Sequence, residues 1–346
     1  MSLEVVFVAT FTKSIIASLI LLGCASHAYA EDTSSDKSYD ISSLNANEAY
    51  QEGKLLRAQL KNTKARPYLK YSADKGDAKA AYLYAMELSN YNTTIRTPPK
   101  AQEYLLKAAQ GGNRQAMRHL YLDGNWLRLR ERNYWKKHYY NSLITLGQTE
   151  PGQAMFELAN FYRKSDQELS SYYLNKSLDF DIPKALMEKA KSIESGEGTY
   201  IFPGSREKTI DKMYKAAADT GYMPAVRNYI QRLEDLGNYQ EAFKWRQKAV
   251  KEGDLTSLAA VAIILSGFST DYQFVDQDLA TAKAYYDIYL ETAGTDRLGV
   301  LYDNIEQHYS DIMKTISPED LSKSKKIEAN LRKEKPFYNH DVYWDI

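Results

Sequence analysis

A pattern that recurs about every 36 residues constrains the fold of this chain more than any other feature of its sequence. In each copy a helix-favouring stretch runs into a turn, and a small residue usually follows that turn by four positions. The copies place this residue at Ala80, Ala116, Ala154, Ala185, Ala225, Ser257 and Leu298. Repeats of this length are typical of solenoids built from helical hairpins, in which a small side chain lets two helices cross closely.

The turns themselves indicate where helices end. Glycine adopts the left-handed backbone conformation that closes a helix, and apolar residues resume at helical spacing after each turn. The glycines placed for this role are Gly76, Gly112, Gly221, Gly253 and Gly294. We therefore predict an all-α fold, a right-handed α-solenoid of about eight helix-turn-helix repeats over residues 46–333. The predicted hairpins are 47–75, 77–111, 113–147, 151–179, 182–220, 222–252, 254–292 and 295–333.

The fifth unit carries the most specific motif. Its turn, residues 195–199, reads Ser-Gly-Glu-Gly-Thr, and residues 212–217 read Lys-Met-Tyr-Lys-Ala-Ala before a glycine cap at Gly221. These residues resemble the Sel1-like repeat family, which is related to tetratricopeptide repeats. The resemblance covers about residues 46–310, although the fourth unit departs from it with Asp181 in place of glycine. It implies a helical-hairpin solenoid that binds other proteins.

The first thirty residues predict export. Lys13 precedes an apolar run over residues 14–23, which is too short for a comfortable membrane span. Ala28, Tyr29 and Ala30 then supply the small-x-small pattern at which signal peptidase cleaves. We expect a signal peptide over residues 1–30, cleaved after Ala30, and therefore a periplasmic protein.

Cys24 leaves a second form of processing open. The sequence around it resembles a bacterial lipoprotein processing box, so lipidation at Cys24 with an outer-membrane anchor is the alternative to cleavage at Ala30. Cleavage at Ala30 removes the one cysteine of the chain, and the mature protein then contains no disulfide. Residues 31–45 are polar and aperiodic, which predicts a flexible leader.

Motifs for catalysis are missing from the sequence. It contains no His-Glu-x-x-His motif, no cysteine pair, no phosphate loop and no Gly-x-Ser-x-Gly elbow. Ser195 lies among glycines, but the repeat turn explains it. The 45 basic residues equal the 45 acidic ones, and zero net charge argues against nucleic-acid binding. We expect no enzymatic activity, no metal and no cofactor.

A basic and aromatic segment, residues 126–140, is the first candidate for partner binding. It contains a single acidic residue among many cations and aromatic rings, a composition found in interface hot spots. The alternative is that Trp135 and Tyr139 belong to the core while the cations are merely solvated. The candidate residues are Trp126, Arg128, Arg130, Arg132, Tyr134, Lys136, Lys137 and Tyr140.

The C-terminal tail, residues 334–346, and the paired tyrosines supply the remaining candidates. The tail contains Phe337, Tyr343 and Trp344, and it is either an intramolecular cap on the last repeat or a peptide that docks on a partner. Two adjacent tyrosines cannot both face inward on one helix, so one of each pair should reach the groove or the solvent. The tyrosines chosen on this ground are Tyr140, Tyr173 and Tyr286.

The resemblance implies an adaptor role in the bacterial envelope. We expect a scaffold whose concave face binds another envelope or secreted protein, and which organises or positions a secretion apparatus, with type VI secretion favoured. One alternative is an immunity protein that neutralises a phospholipase effector delivered to the periplasm. The other is a lipoprotein scaffold for exopolysaccharide export.

Overall fold

The structure, a computed structural model, describes residues 41–90 and 97–344. These residues belong to one compact unit that spans residues 39–346. The predicted signal peptide, its cleavage at Ala30, the lipidation alternative at Cys24 and residues 31–40 of the leader lie outside the described residues.

Sixteen of the described helices follow one another in chain order as eight helix-turn-helix hairpins, and a short helix follows in the tail. The pairs are α1 Ala46–Ala58 with α2 Asn62–Asp74, α3 Ala78–Asn90 with α4 Pro99–Gln110, α5 Arg114–Leu122 with α6 Leu129–Leu146, α7 Pro151–Tyr162 with α8 Gln167–Leu178, α9 Pro183–Glu194 with α10 Ser205–Asp219, α11 Met223–Asp235 with α12 Tyr239–Lys251, α13 Leu255–Leu265 with α14 Leu279–Thr292, and α15 Gly299–Met313 with α16 Pro318–Leu331. The tail helix is α17, His340–Trp344.

The predicted all-α solenoid of helical hairpins is confirmed, with eight hairpins among the described residues. From α1 to α15 each helix packs on the next along the chain, as expected for a repeat array, whereas α16 packs on α14. The largest departure from the predicted limits is in the eighth hairpin, where α15 begins at Gly299 rather than at residue 295. The β-type pairing among the described residues is one isolated parallel bridge between Asp254 and Tyr338.

The repeated small residue lies where two helices cross. Six of the seven predicted positions have at most 2 % of their surface exposed, which confirms the packing role assigned to them: Ala80, Ala116, Ala154, Ala185, Ala225 and Ser257. Leu298 is the exception and is exposed, because α15 begins one residue later and leaves Leu298 outside the helix. The eighth hairpin is therefore attached with a different geometry from the rest.

Buried tyrosines join neighbouring helices through carboxylates. The Tyr104 hydroxyl donates to Asp74 Oδ1 at 2.6 Å, and the Tyr214 hydroxyl donates to Glu194 Oε2 at 3.1 Å. Tyr139 donates in the same way to Glu157 Oε2, at 3.2 Å. Such bonds satisfy the hydroxyl of a ring that the core otherwise buries. Some of the 29 tyrosines in this sequence thus have a structural role.

The first hairpin contacts the junction between the seventh and eighth hairpins. The Gly294 amide donates to Gln59 O at 2.7 Å, and the Thr63 amide donates to Asp296 Oδ2 at 2.7 Å. Gly294 was predicted to be a left-handed helix cap, but its φ is not positive. Glycine is needed there for a different reason, since a Cβ would lie 2.5 Å from Leu60 O. The array of hairpins therefore closes on itself.

The tail completes this closure. Tyr338 pairs with the turn before α13, where its amide donates to Gly253 O at 3.1 Å and its carbonyl accepts from the Leu255 amide. The next residue, Asn339, donates its amide to Ala58 O at the end of α1, at 2.8 Å. A single tail segment thus links the first hairpin to the seventh.

Candidate protein-interaction site

The basic and aromatic segment, residues 126–140, lies at the start of α6. Trp135 and Tyr139 are buried, as the solvated-face alternative expected for them. Tyr134 remains 54 % exposed and contacts the Trp135 ring edge-on. The exposed cations of the segment are Arg128, Arg130, Lys136 and Lys137. The segment therefore presents a basic surface around one exposed tyrosine.

Two candidates in this segment have roles within the fold. Arg132 donates from Nε to Tyr121 O at 3.1 Å and from Nη2 to Leu122 O at 3.0 Å, so it caps the end of α5. Trp126 is half-buried, and its indole Nε1 is buried without a hydrogen-bond partner among the described residues. A substitution of Arg132 would therefore disturb the fold as well as the surface.

The tyrosine pairs divide as expected, but the member chosen was wrong in one case. Tyr286 is fully buried and its hydroxyl lies 2.9 Å from Ser266 Oγ, so it cannot contact a partner, while Tyr285 is half-buried. Tyr140 is half-buried against Phe161, and Tyr173 is half-buried and stacks on Tyr162 at 5.8 Å. The residue before Tyr173, Tyr172, is the more exposed of its pair. Which tyrosine of a pair is buried depends on how the helix is rotated about its own axis. Sequence spacing leaves that rotation uncertain by a few degrees per residue.

The tail candidates bind within the chain. Phe337 is buried in the core of the last hairpins, which corrects its assignment to a partner-docking surface. Tyr343 is half-buried, and Lys54 Nζ of α1 lies 3.7 Å from its ring centroid. The side chain of Trp344 is outside the described part. The tail thus joins distant hairpins, which is a larger role than capping the last repeat.

A cavity of about 540 Å³ lies inside the closed array, against the odd-numbered helices. A second cavity of about 240 Å³ shares Tyr82, Phe156 and Lys184 with it, and we call the two together the interior groove. The other apolar and aromatic residues of the first cavity are Met86, Met187, Tyr222, Pro224 and Val342. None of the partner-binding candidates of residues 126–140 lines either cavity, so the exposed basic segment and the interior groove are separate surfaces.

The acidic residues of the interior groove are all paired. Glu157 accepts from Arg114 at 3.2 Å, Glu188 pairs with Arg163 at 2.9 Å, and Asp341 of the tail pairs with Arg227. The cations Arg118, Lys184, Lys191 and Arg297 take part in no ion pair with any described residue. The interior groove therefore carries an excess of positive charge in a chain whose net charge is zero.

A buried network anchors the tail beside these cations. Arg57 donates from Nε to Glu87 Oε1 and from Nη1 to Val342 O, both at 2.8 Å. Asn62 donates to the other Glu87 oxygen at 2.8 Å. Because the Glu87 carboxylate is fully buried, its two charge-assisted bonds fix α1, α2 and α3 relative to each other, and Arg57 holds the tail to them through Val342 O.

The sequence contains a signal for the interior groove in the spacing of the residues that line it. Groove residues recur at fixed offsets from the repeated alanine: one position before it, two after it and six after it. Around Ala185 these are Lys184, Met187 and Lys191, and around Ala80 the later two are Tyr82 and Met86. These offsets fall on one face of a helix, which is the face that lines the groove.

Two further properties bear on function. No group of three or more His, Cys, Asp or Glu side chains converges as a metal site within the described residues. The helices of the described part include none that is both long and apolar enough to cross a bilayer.

Comparisons with known proteins give weak structural similarities only. A scan against protein-family models gives no match, and a search of curated proteins gives none. Among solved structures, a protective antigen of uropathogenic Escherichia coli with an SLR fold is 15% identical with a TM-score of 0.40. That match covers 87% of this chain but 63% of the other, so the chain spans less than two thirds of that protein.

Two other solved structures give similar values. A Sel1 repeat protein from Oxalobacter formigenes is 17% identical, with a TM-score of 0.36 over 82% of this chain and 86% of the other. An immunity protein of Pseudomonas aeruginosa, Pa5087, is 18% identical, with a TM-score of 0.40 over 69% of this chain and 87% of the other. Similarities this weak do not support the fold assignment, which is based on the hairpins observed in the structure.

Proposed function

We propose that this chain is a periplasmic adaptor that holds a segment of another envelope protein in the interior groove. Its first candidate role is to organise or position a secretion apparatus, with type VI secretion favoured. The observation that carries the binding role is the composition of the interior groove. Aromatic rings, methionines and unpaired cations converge there from helices far apart in the sequence.

These residue types suit recognition of a protein. Aromatic side chains give a large contact area, methionine adapts to irregular surfaces, and arginine contributes at interfaces. The groove is also fixed before binding, because the tail and the first hairpin hold the array closed. A fixed surface loses little conformational entropy when a partner binds.

The proposal is tested by photocrosslinking in living cells. A photoreactive phenylalanine replaces Phe156 in the groove, and a matched variant carries it at Phe202, which is 77 % exposed on the loop before α10. We expect one envelope protein to crosslink through Phe156 and not through Phe202. A third variant with the label at Tyr134 tests the basic segment, and crosslinks there without any at Phe156 would refute the groove as the binding surface.

The second candidate role is immunity against a phospholipase effector, which the closed array favours. An inhibitor benefits from a rigid surface matched to one enzyme, because preorganisation slows dissociation. The protein crosslinked through Phe156 distinguishes the roles, since it is a structural component in one case and a lipase in the other. Deletion of the chain adds a second criterion: intact secretion together with killing by sibling cells supports immunity and contradicts the secretion role.

A further inference from the structure

We infer that the segment bound in the interior groove is acidic, a stretch of a partner protein rich in Asp or Glu and carrying an aromatic or aliphatic residue. This inference rests on the proposed function and specifies the chemistry of its partner. It starts from the charge of the groove, where the acidic side chains are already paired and four cations are not.

The unpaired cations are distributed along the groove. Lys184 and Lys191 lie two turns apart on α9, so both belong to the same face of that helix. Arg297, before α15, contributes to the first cavity from the other side, and Arg118 of α5 extends the charge into the second. An extended acidic segment running along the groove would meet cations successively, and Coulomb attraction would hold each carboxylate near one of them.

The tail gives an example of such an interaction within the chain. It enters the first cavity with Asp341 and Val342, where Asp341 pairs with Arg227 and Val342 O accepts from Arg57. A carboxylate and a peptide carbonyl are therefore both held by arginines at this end of the groove. The unpaired cations continue the same positive surface beyond the point that Asp341 reaches.

The apolar lining of the groove is the reason to expect an aromatic or aliphatic residue in the bound segment. Tyr82 and Phe156 belong to both cavities, and Met86 and Met187 add flexible apolar surface beside them. Lys184 Nζ lies 5.8 Å from the Tyr222 ring centroid, so cation and ring form one mixed patch. Carboxylates alone would leave this apolar lining exposed, whereas an aromatic or aliphatic side chain in the bound segment would cover it.

Binding of defined probes to the whole chain tests the inference. The probe is a fluorescent peptide of glutamates interspersed with tryptophan and leucine, and its matched control replaces each glutamate with glutamine. An oligomer of uronic acids tests whether the groove takes an anionic polysaccharide instead. We expect the acidic peptide to bind at least about tenfold more tightly than the glutamine peptide at low salt, with the difference shrinking as salt is added.

Charge reversal locates the binding. The double variant K184E/K191E should weaken binding of the acidic peptide by at least about tenfold. The control K208E/K212E makes the same charge change on exposed lysines of α10, outside the groove, and should leave the affinity unchanged. Circular dichroism checks that both variants keep their helices.

Each other outcome overturns the inference. It fails if the glutamine peptide binds equally well, if the uronic acid oligomer binds more tightly than the peptide, or if both double variants behave alike. Crosslinking through Phe156 separates this failure from that of the proposed function. A partner captured there through a neutral or basic segment leaves the binding function intact and rejects only the acidic chemistry.

Discussion

Asp181 occupies the left-handed position of a repeat turn, with φ of 50°. Equivalent turns contain Gly76 and Gly112, which adopt this conformation without a steric penalty. An aspartate there places its Cβ against its own backbone. The fourth unit therefore keeps its turn although aspartate replaces glycine there, and the aspartate is strained.

Replacing Asp181 with glycine should stabilise the chain by about 1 kcal/mol, because glycine removes the left-handed strain. Urea unfolding followed by circular dichroism measures the change. The control is Asp179→Gly, two residues earlier, where φ is −63° and glycine only adds freedom to the unfolded chain. Equal effects of the two substitutions would contradict the strain explanation.

The tyrosines show how far sequence reasoning reaches at the scale of a residue. One tyrosine of each adjacent pair is predicted to reach the groove or the solvent, whereas the structure uses Tyr104, Tyr139 and Tyr214 to bind carboxylates on other helices. Burial raises the pKa of Tyr214 to about 12, with smaller contributions from the negative charge of Glu194 and from the hydrogen bond to it. The sequence predicts a tyrosine on a helix face, but the carboxylate that receives its hydroxyl belongs to another helix and is set by packing.

At the scale of elements, the tail is a segment whose burial includes a titratable group. His340 is buried, and its ring stacks on Tyr338 at 4.2 Å. Burial lowers the pKa of His340 below its usual range, and the nearby Arg227 lowers it further, although the Asp254 carboxylate and the backbone oxygens before α13 act in the opposite direction. The docked tail thus favours the neutral imidazole.

Acidification should release the tail. Because the pKa of His340 is lower when docked than when free, the free tail binds the proton more readily. Docking is therefore strongest above about pH 6.5 and weakens progressively as the pH falls through the docked-state pKa. Hydrogen-exchange protection of the Tyr338 and Asn339 amides, compared at about pH 7.5 and about pH 5.5, should drop selectively relative to α5.

The control for this prediction is the variant H340Q, which keeps a polar side chain but cannot be protonated in this range. Its tail amides should show little change in protection between the two pH values. A loss of protection in H340Q equal to that of the natural chain would mean that another group controls the tail.

The elements were the most predictable level of this structure. The repeated small residues and the turns before them predicted the first seven hairpins closely, because each crossing requires a small side chain and each turn a backbone that can reverse. The interior groove could not be predicted, because the helical face that lines it has no constant residue type. It carries Lys184 in one repeat and Gln153 in another. Only the assembled array shows which of these faces converge.

At the scale of the whole molecule, closure of the array depends on the contact between Gly294 and the first hairpin, which leaves no room for a side chain at Gly294. Gly294→Ala would place a Cβ 2.5 Å from Leu60 O and 2.8 Å from Lys61 Cγ. We expect a loss of about 1–3 kcal/mol in the free energy of unfolding, together with a larger radius of gyration as the first hairpin separates.

Thermal unfolding and small-angle X-ray scattering measure both effects. Gly299→Ala is the matched control, because a Cβ at Gly299 meets nothing within 4 Å. An unchanged radius in G294A would show that the closing contact tolerates the methyl group by a small local shift.

Closure itself could not be predicted from the repeat pattern. It depends on the sum of small rotations between successive hairpins, and each rotation is set by packing details that the pattern of alanines does not specify. The two ends are joined through Gln59 and Gly294, which are 235 positions apart in the sequence. Neither belongs to a motif that local spacing would single out.

The contact between Asn339 and Ala58 also limits how such a gene can change. An open solenoid tolerates in-frame duplication or loss of a unit, because each repeat contacts only its neighbours. In this chain one added hairpin would move the tail by a full repeat from its acceptor on α1, and one deleted hairpin would leave it too short to reach. Descendants of this sequence should therefore vary in their loops and surfaces while the number of units stays constant.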